Sequence, residues 1–261
     1  MSGPIPNLDE ALADLRARGS RLGVGLSPDA ISAVAIFCRA LAEYSQHTNL
    51  VADASPGVVV AHHVLDSLTL VPLLSRLPQG DSACGPSAAS LVDIGSGAGF
   101  PGLVLAIACP HLKVTLLESI AKKTRFLQSV VDALGEAERI SVINARAEDL
   151  AGDNRFRESF DFATARAVGS ADLVLELALP LVRTGGAALI QKSRAQVEDE
   201  MARAERAAQI LGGGRAELVI PDVEALGKEH VVIAVRKVSK TPSRYPRSMA
   251  QIKRHALGSG R

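Results

Sequence analysis

The chain has 261 residues, 47% of them hydrophobic and 22% charged, which is enough to bury a full core and ordinary for a globular protein. Lys and Arg number 29 against 28 Asp and Glu, so the net charge of +1 by itself points to no polyanionic partner. Cys38, Cys84 and Cys109 are unclustered and no uninterrupted apolar run reaches the roughly 20 residues of a membrane span, so a disulfide framework, a cysteine-based metal site and a bilayer-spanning helix are not expected. The N-terminus carries no basic stretch followed by an apolar run, so no secretory signal is expected and the compartment read from the cysteines is a reducing cytoplasm.

Residues 1–27 are small, polar and charged and predict a mobile lead-in with a short helix at 8–18. Ser27-Pro28-Asp29 is a helix start, and Ile31, Val34, Ala35, Cys38 and Leu41 follow at helical spacing. A second helical segment is predicted over 56–77, with Val64, Leu65, Leu68, Val71 and Leu74 as its core face. Residues 28–77 thus form an N-terminal helical cap, and the turn-rich stretch 78–90 is a flexible connector. From 91 to 237 the pattern alternates. Strands are predicted near 91–94, 113–118, 140–144, 160–165, 186–192 and 230–236, with another near 216–220; helices over 101–108, 121–134, 170–183 and 195–211. Such alternation predicts a mostly parallel, seven-stranded α/β sheet covered by helices, its last two strands pairing as an antiparallel edge hairpin. The end of the chain, 238–261, is a basic tail: from Arg236 onward eight cations and no acid occur, and Tyr245 sits between Arg244 and Arg247. Such a segment reads either as a nucleic-acid-binding tail or as a solvated end.

The chemistry is concentrated at Leu91-Val-Asp-Ile-Gly-Ser-Gly-Ala-Gly-Phe-Pro-Gly102. A strand runs into a turn with Gly95, Gly97 and Gly99 alternating, and Pro101 stands where a helix begins. Gly97 to Gly102 matches the dinucleotide fingerprint, but the first glycine after the strand is Gly95 and the strand carries Asp93. An acid, one apolar residue and G-x-G-x-G instead resembles the first motif of the S-adenosylmethionine-dependent methyltransferases. The implied fold is the class I, Rossmann-like one with its ligand beyond the carboxyl ends of the strands. Glu118 ends the second strand about 20 residues past the turn, at the place of a ribose acceptor, or else is a first-turn helix acid. After the third strand, Ala147 offers a flat apolar contact to an adenine, and Glu148 is either an acceptor for its exocyclic amine or a surface charge. Arg166 ends the fourth strand, facing a methionine carboxylate, an RNA phosphate or a neighbouring acid such as Asp93 or Glu118. Lys192 points at the same edge, and two converging cations suit a polyanionic substrate. His62, His63 and Asp66 could be imagined as metal ligands, but 62 and 63 are not on one helical face, so packing or capping roles are expected instead.

Several stretches together resemble the bacterial 16S ribosomal RNA guanine-N7 methyltransferases, the glucose-inhibited division protein B family, over about 40 to 240. They are His63-Val-Leu-Asp-Ser-Leu68, Asp93 to Gly102 with Phe-Pro-Gly, Glu118-Ser119 with Lys122-Lys-Thr-Arg-Phe-Leu127, Arg146-Ala-Glu148, Ala165-Arg-Ala167, Pro180-Leu181 with Gly185-Gly186, Lys192 and His230-Val-Val-Ile233. Tyr245-Pro-Arg247 resembles the tail of longer members. Tyr44-Ser45, Asn49-Leu-Val51, His62 and Ser193 depart from the family pattern, none of them in the glycine corner. The resemblance implies that Gly95, Phe100, Ala147, Glu148 and Arg166 contact S-adenosylmethionine, with Glu118 on the ribose, and that the target is a guanine in 16S ribosomal RNA. Gly97 and Gly99 complete the cofactor turn. Lys122, Lys123, Arg125, Lys192, Arg244 and Arg247 are the cations expected to meet the RNA, and the chain is expected to act as a monomer.

N7 of guanine already carries a lone pair, so methyl transfer needs no general base, and no catalytic His or Cys and no metal is expected. Rate comes from holding donor and acceptor in line. Asp93 is a candidate for steadying the positive charge that the purine gains. The rival readings are a methyltransferase of another substrate and a non-catalytic RNA-binding assembly factor.

Overall fold

A computed structural model describes residues 7–76, 89–221 and 230–258. Residues 1–6 of the lead-in, 78–88 of the connector and the last three residues of the tail lie outside the described part.

Seven strands form one sheet in the order β3-β2-β1-β4-β5-β7-β6. They are β1 Ser90–Ile94, β2 Lys113–Leu117, β3 Ile140–Ile143, β4 Phe160–Arg166, β5 Val182–Ser193, β6 Gly213–Val219 and β7 His230–Lys237. The first five pair in parallel, while β7 runs antiparallel to both β5 and β6. Between β6 and β7 the chain is too short for the crossover that a parallel pair needs. Ile94 lies opposite Leu117 on one side and Ala165 on the other; Leu117 faces Ile143, and Ala165 faces Ile190. The carboxyl ends of the five parallel strands therefore form one level rim. Chain order reverses between β1 and β4, where an α/β sheet opens a crevice.

The central strands are buried on both faces, and successive residues join clusters on opposite sides of the sheet. Leu91 packs into a cluster with the N-terminal helices, while Val92 and Ile94 belong to a second cluster on the opposite face. The helices Gly102–Ala108, Ala121–Leu134, Ala171–Ala178 and Arg194–Ile210 occupy the expected places. Ala171–Ala178 stops well before residue 183 because Pro180 follows and disfavours helix in the residue before it. Ala121–Leu134 ends on Gly135 in the left-handed region at φ 68°.

The lead-in is structured where it is described. Helix Leu8–Arg21 has a capping box between Asn7 and Glu10 and buries Leu12 and Leu15; the N-x-x-E spacing was its legible signal. Helix Pro28–Ser45 is capped by Ser27, whose side chain accepts from the Ala30 amide. The second predicted segment is broken into Pro56–Val58, a π-helical Val59–Val64, Leu65–Leu68 and Val71–Arg76. The stretch Pro56–Ser75 has the length of a membrane span, and an 18-residue window within it has a mean hydropathy of 1.6, but 67% of that window is buried within the fold. It is a core helix.

The basic end is docked rather than loose. Tyr245 and Ile252 are buried, and the short helix Met249–Arg254 was not foreseen. Arg157 donates to the carbonyls of Tyr245 and Thr241. Lys237, counted above among the tail cations, is wholly buried; it donates to the Leu179 carbonyl and Thr241 and pairs with Glu158 at 3.2 Å. Burial pulls its pKa down to about 8.

Candidate functional site

The glycine corner crosses the rim at the reversal point. Gly95, Gly97 and Gly99 have φ of 67°, 58° and 100°, a region that side chains rarely adopt. A Cβ on Gly95 would stand 2.9 Å from the Val168 side chain. Gly95 and Gly97 are half-buried and present bare backbone. Gly99 is different: it is buried, with the Leu103 side chain 3.1 Å from where its Cβ would be, so it packs the corner rather than facing a ligand.

Two of the expected contacts also turn out to lie beneath the corner. Phe100 is 4% exposed, with its ring 5.1 Å from those of Phe37 and His63 and the Arg166 guanidinium 5.0 Å above it. Asp93 is fully buried on the same face of β1; it accepts from the Gly102 amide at 3.0 Å and from Thr164 at 3.1 Å. Burial raises its pKa to about 6 against those hydrogen bonds. Asp93 thus ties the helix start to the strand, and no face of it is open to steady charge on a substrate. This corrects the expectation, because β1 is covered on both faces and residue 93 is enclosed between the start of helix Gly102–Ala108 and β4.

Glu118 is held just where β2 leaves the sheet. Its two oxygens accept from the Gly97 amide at 3.0 Å and from the Ile120 amide at 2.8 Å. Ile120 caps helix Ala121–Leu134, so Glu118 acts as an acceptor at the start of that helix. A carboxylate has about four lone-pair sites, so each oxygen keeps capacity for another donor. Gly95, Ala147 and Glu148 line a cavity of about 90 Å³ whose walls include Ile94, Leu117, Val168, Leu177 and Met249.

A second, open cleft of about 700 Å³ lies beyond the ends of β4 and β5. Val168 lines both spaces. Arg166 and Lys192 converge here, as expected, but neither stands alone. Arg166 donates to Asp66 at 3.0 Å and contacts His63 Nδ1 at 3.3 Å; the neighbouring acids Asp93 and Glu118 are not its partners. Lys192 donates to the Gly169 carbonyl at 2.6 Å and pairs with Glu200 at 2.9 Å. His230 reaches the other oxygen of Asp66 at 3.2 Å. Desolvation, reinforced by the Arg166 charge, lowers the His63 pKa to about 4, so this imidazole is neutral at pH 7. Next to Arg166, Ala167 takes the left-handed conformation at φ 58°, an uncommon one for a residue with a Cβ. The cleft therefore presents two cations matched by two carboxylates rather than a cationic socket.

Gln191 was missed by the sequence reading. It is 4% exposed, its amide nitrogen donates to the Asp66 carbonyl at 2.8 Å, and its Oε1 has no hydrogen-bond partner among the described residues. Of the other expected RNA cations, Lys122 and Arg125 are exposed on helix Ala121–Leu134, Lys123 is half-buried, and Arg244 is exposed over the Tyr245 ring. Arg247 is engaged otherwise, in a two-pronged ion pair with Glu176, whose side chain is wholly buried. Its charge is compensated inside the fold, which counts against a contact with RNA phosphate.

A relative from Desulfitobacterium hafniense, "Ribosomal RNA small subunit methyltransferase G", is 35% identical over 93% of this chain and 95% of its own. One of the same description from Leuconostoc citreum is 37% identical over 86% and 90%. Among solved structures, a SAM-dependent O-methyltransferase from Thermotoga maritima superposes with a TM-score of 0.49 and 17% identity over 68% of this chain and 66% of that one. Residues 30–230 match the GidB family, described as rRNA small subunit methyltransferase G, and the chain belongs to that family.

Proposed function

We propose that the two spaces divide one reaction between them, the small cavity taking the adenosyl end of S-adenosylmethionine and the large cleft a guanine of 16S ribosomal RNA. The reaction, methyl transfer to guanine N7 in small-subunit ribosomal RNA, is that of the family. The observation that carries the division is that Val168, lying over Gly95, borders both spaces. The corner fits the cofactor on its own terms. It has bare backbone where a Cβ would collide, an apolar wall at Ala147 and a carboxylate, Glu118, oriented by two amides.

S-adenosylmethionine supplies a methyl group made electrophilic by a sulfonium. The chain's own residues bind and orient. Glu118 accepts the ribose hydroxyls, and Glu148 lies at the adenine edge. Arg166, fixed by Asp66, stands at the junction for the methionine carboxylate. A cleft whose charges cancel suits a neutral base better than a phosphate. Asp66 and Glu200 lie close enough to favour the charge that N7-methylation places on the purine. Grip on the RNA backbone then falls to exposed cations outside the cleft, Lys122, Arg125 and Arg244 among them. A monomer acting on ribosomal RNA in the cytoplasm is part of this reading.

The test is to incubate small ribosomal subunits lacking the modification, and the bare RNA in parallel, with methyl-labelled cofactor and to map the product. Label on N7 of one guanine is expected. Label on another atom, or cofactor binding without turnover, overturns the reading in favour of another substrate or an assembly factor.

A further inference from the structure

The C-terminal segment has more contact with the cofactor corner than its composition indicates. After β7 the chain returns across the helices of the second cluster, and each turn of this path is tied down. Thr241 accepts from Lys237 and its own amide donates to Glu158. Tyr245 is buried with Arg247 alongside its ring. The Arg247 amide and guanidinium both bond Glu176, and the guanidinium also reaches the His255 carbonyl at 2.8 Å. Two residues beyond Arg247, Met249 is half-buried against the second cluster. Its side chain joins Gly95, Ala147 and Leu177 as a wall of the 90 Å³ cavity. A thioether on three rotatable bonds adapts its shape to a flat ring at little strain.

We infer that the segment from Thr241 to Gly258 is a strap, and that through Met249 it completes the pocket for the adenine ring, so that Met249 sets affinity for the cofactor while the exposed Arg244 of the same segment is left to the RNA. Glu176 is the buckle: as a buried carboxylate it needs the Arg247 guanidinium, and that pair fixes the segment carrying Met249 against the corner. This rests on assigning the small cavity to the adenosyl group.

The experiment is calorimetric titration of the full chain with S-adenosylhomocysteine and with 5′-methylthioadenosine, which lacks the amino-acid end. Met249→Ala is expected to weaken both about tenfold, as for loss of one apolar wall. Met249→Leu, which restores the bulk, should bind within about twofold of the unchanged chain. Thermal melting confirms that each variant is folded, and the salt dependence of ribosomal RNA binding should not change. Unaltered affinity in Met249→Ala, or a loss of RNA affinity with cofactor affinity intact, overturns the strap. Gly95→Val, titrated in parallel, separates the two ideas. If it too binds normally, the cavity assignment itself is wrong.

Discussion

The two spaces on the rim are built by opposite means. The small cavity is lined mainly by apolar residues and by backbone of the segments that follow the strands, and beside it, between the lining residues Leu117 and Ser119, Glu118 is fixed by amides two and 21 residues away. The large cleft carries long charged side chains held in ion pairs, Arg166 by Asp66 from a distant part of the chain and Lys192 by Glu200 on the following helix. The first arrangement is rigid because the chain has no room to do otherwise. The second is rigid only as long as each ion keeps its partner. A substitution in the small cavity should therefore act by exclusion, and one in the cleft by releasing a partner.

The largest effect expected is that of Gly95→Val. A β-branched residue at φ 67°, with its Cβ 2.9 Å from Val168, fills the corner, and cofactor affinity should fall by about 10²-fold or more. Calorimetry checks it, and near-normal affinity would mean that the cavity is not the cofactor's. Next is Arg247→Ala, which leaves the buried Glu176 carboxylate without its counter-charge, only the amide of residue 247 still donating to it, and should lower stability by about 3–5 kcal/mol in denaturant melts. A loss under about 1 kcal/mol, the scale of a surface pair, would return Arg247 to the list of RNA contacts.

Arg166→Ala should lower kcat/KM about 10²-fold, the scale of a misplaced reactant. It should also lower the melting temperature, since Asp66 keeps only His230. A melting loss with turnover unchanged would make Arg166 purely structural.

Two buried groups sharpen the contrast through pH. Asp93 has its pKa raised to about 6, so the native state holds its proton longer than the unfolded state. Its stabilising share is full at pH 4 and is lost as pH rises through 6. His63 is lowered to about 4, so its share is present above its ordinary value near 6.5 and is lost as pH falls through 4. Relative to the unchanged chain, Asp93→Asn should gain stability as pH climbs from 4 to 6, and His63→Gln should gain as pH drops from 6.5 to 4. Melting curves against pH read both, and parallel curves would refute the burial argument. The smallest effect is at the surface: Lys122→Gln and Arg125→Gln should each flatten the salt slope of RNA binding by about 0.9.

What could be read from the chain divides along the same line. The strands, the glycine turn and Glu118 are local or spaced by one βαβ unit, so propensity and spacing carry them. The helix over 121–134 was legible to the residue because Gly135 marks its end. The cleft was not legible, because its pairs join residues that only the folded sheet brings together. Asp66 and Arg166 stand 100 positions apart, and Gln191 reaches back 125 to the Asp66 carbonyl. Composition also misread the end of the chain. Eight cations record charge but not partners, and Glu176 and Glu158, which hold Arg247 and Lys237, lie in distant segments. Asp93 shows the converse error, since its place in the motif was plain but its enclosure decided its role.

A structure of the chain bound to S-adenosylhomocysteine examines the division of the rim most directly. The adenine should lie in the cavity between Gly95, Ala147 and Met249, the ribose hydroxyls on Glu118, and the amino-acid end toward Arg166, leaving the cleft beside Asp66 and Glu200 open for a guanine. An adenine seated in the cleft among His63, Gln191 and Lys192 would contradict it.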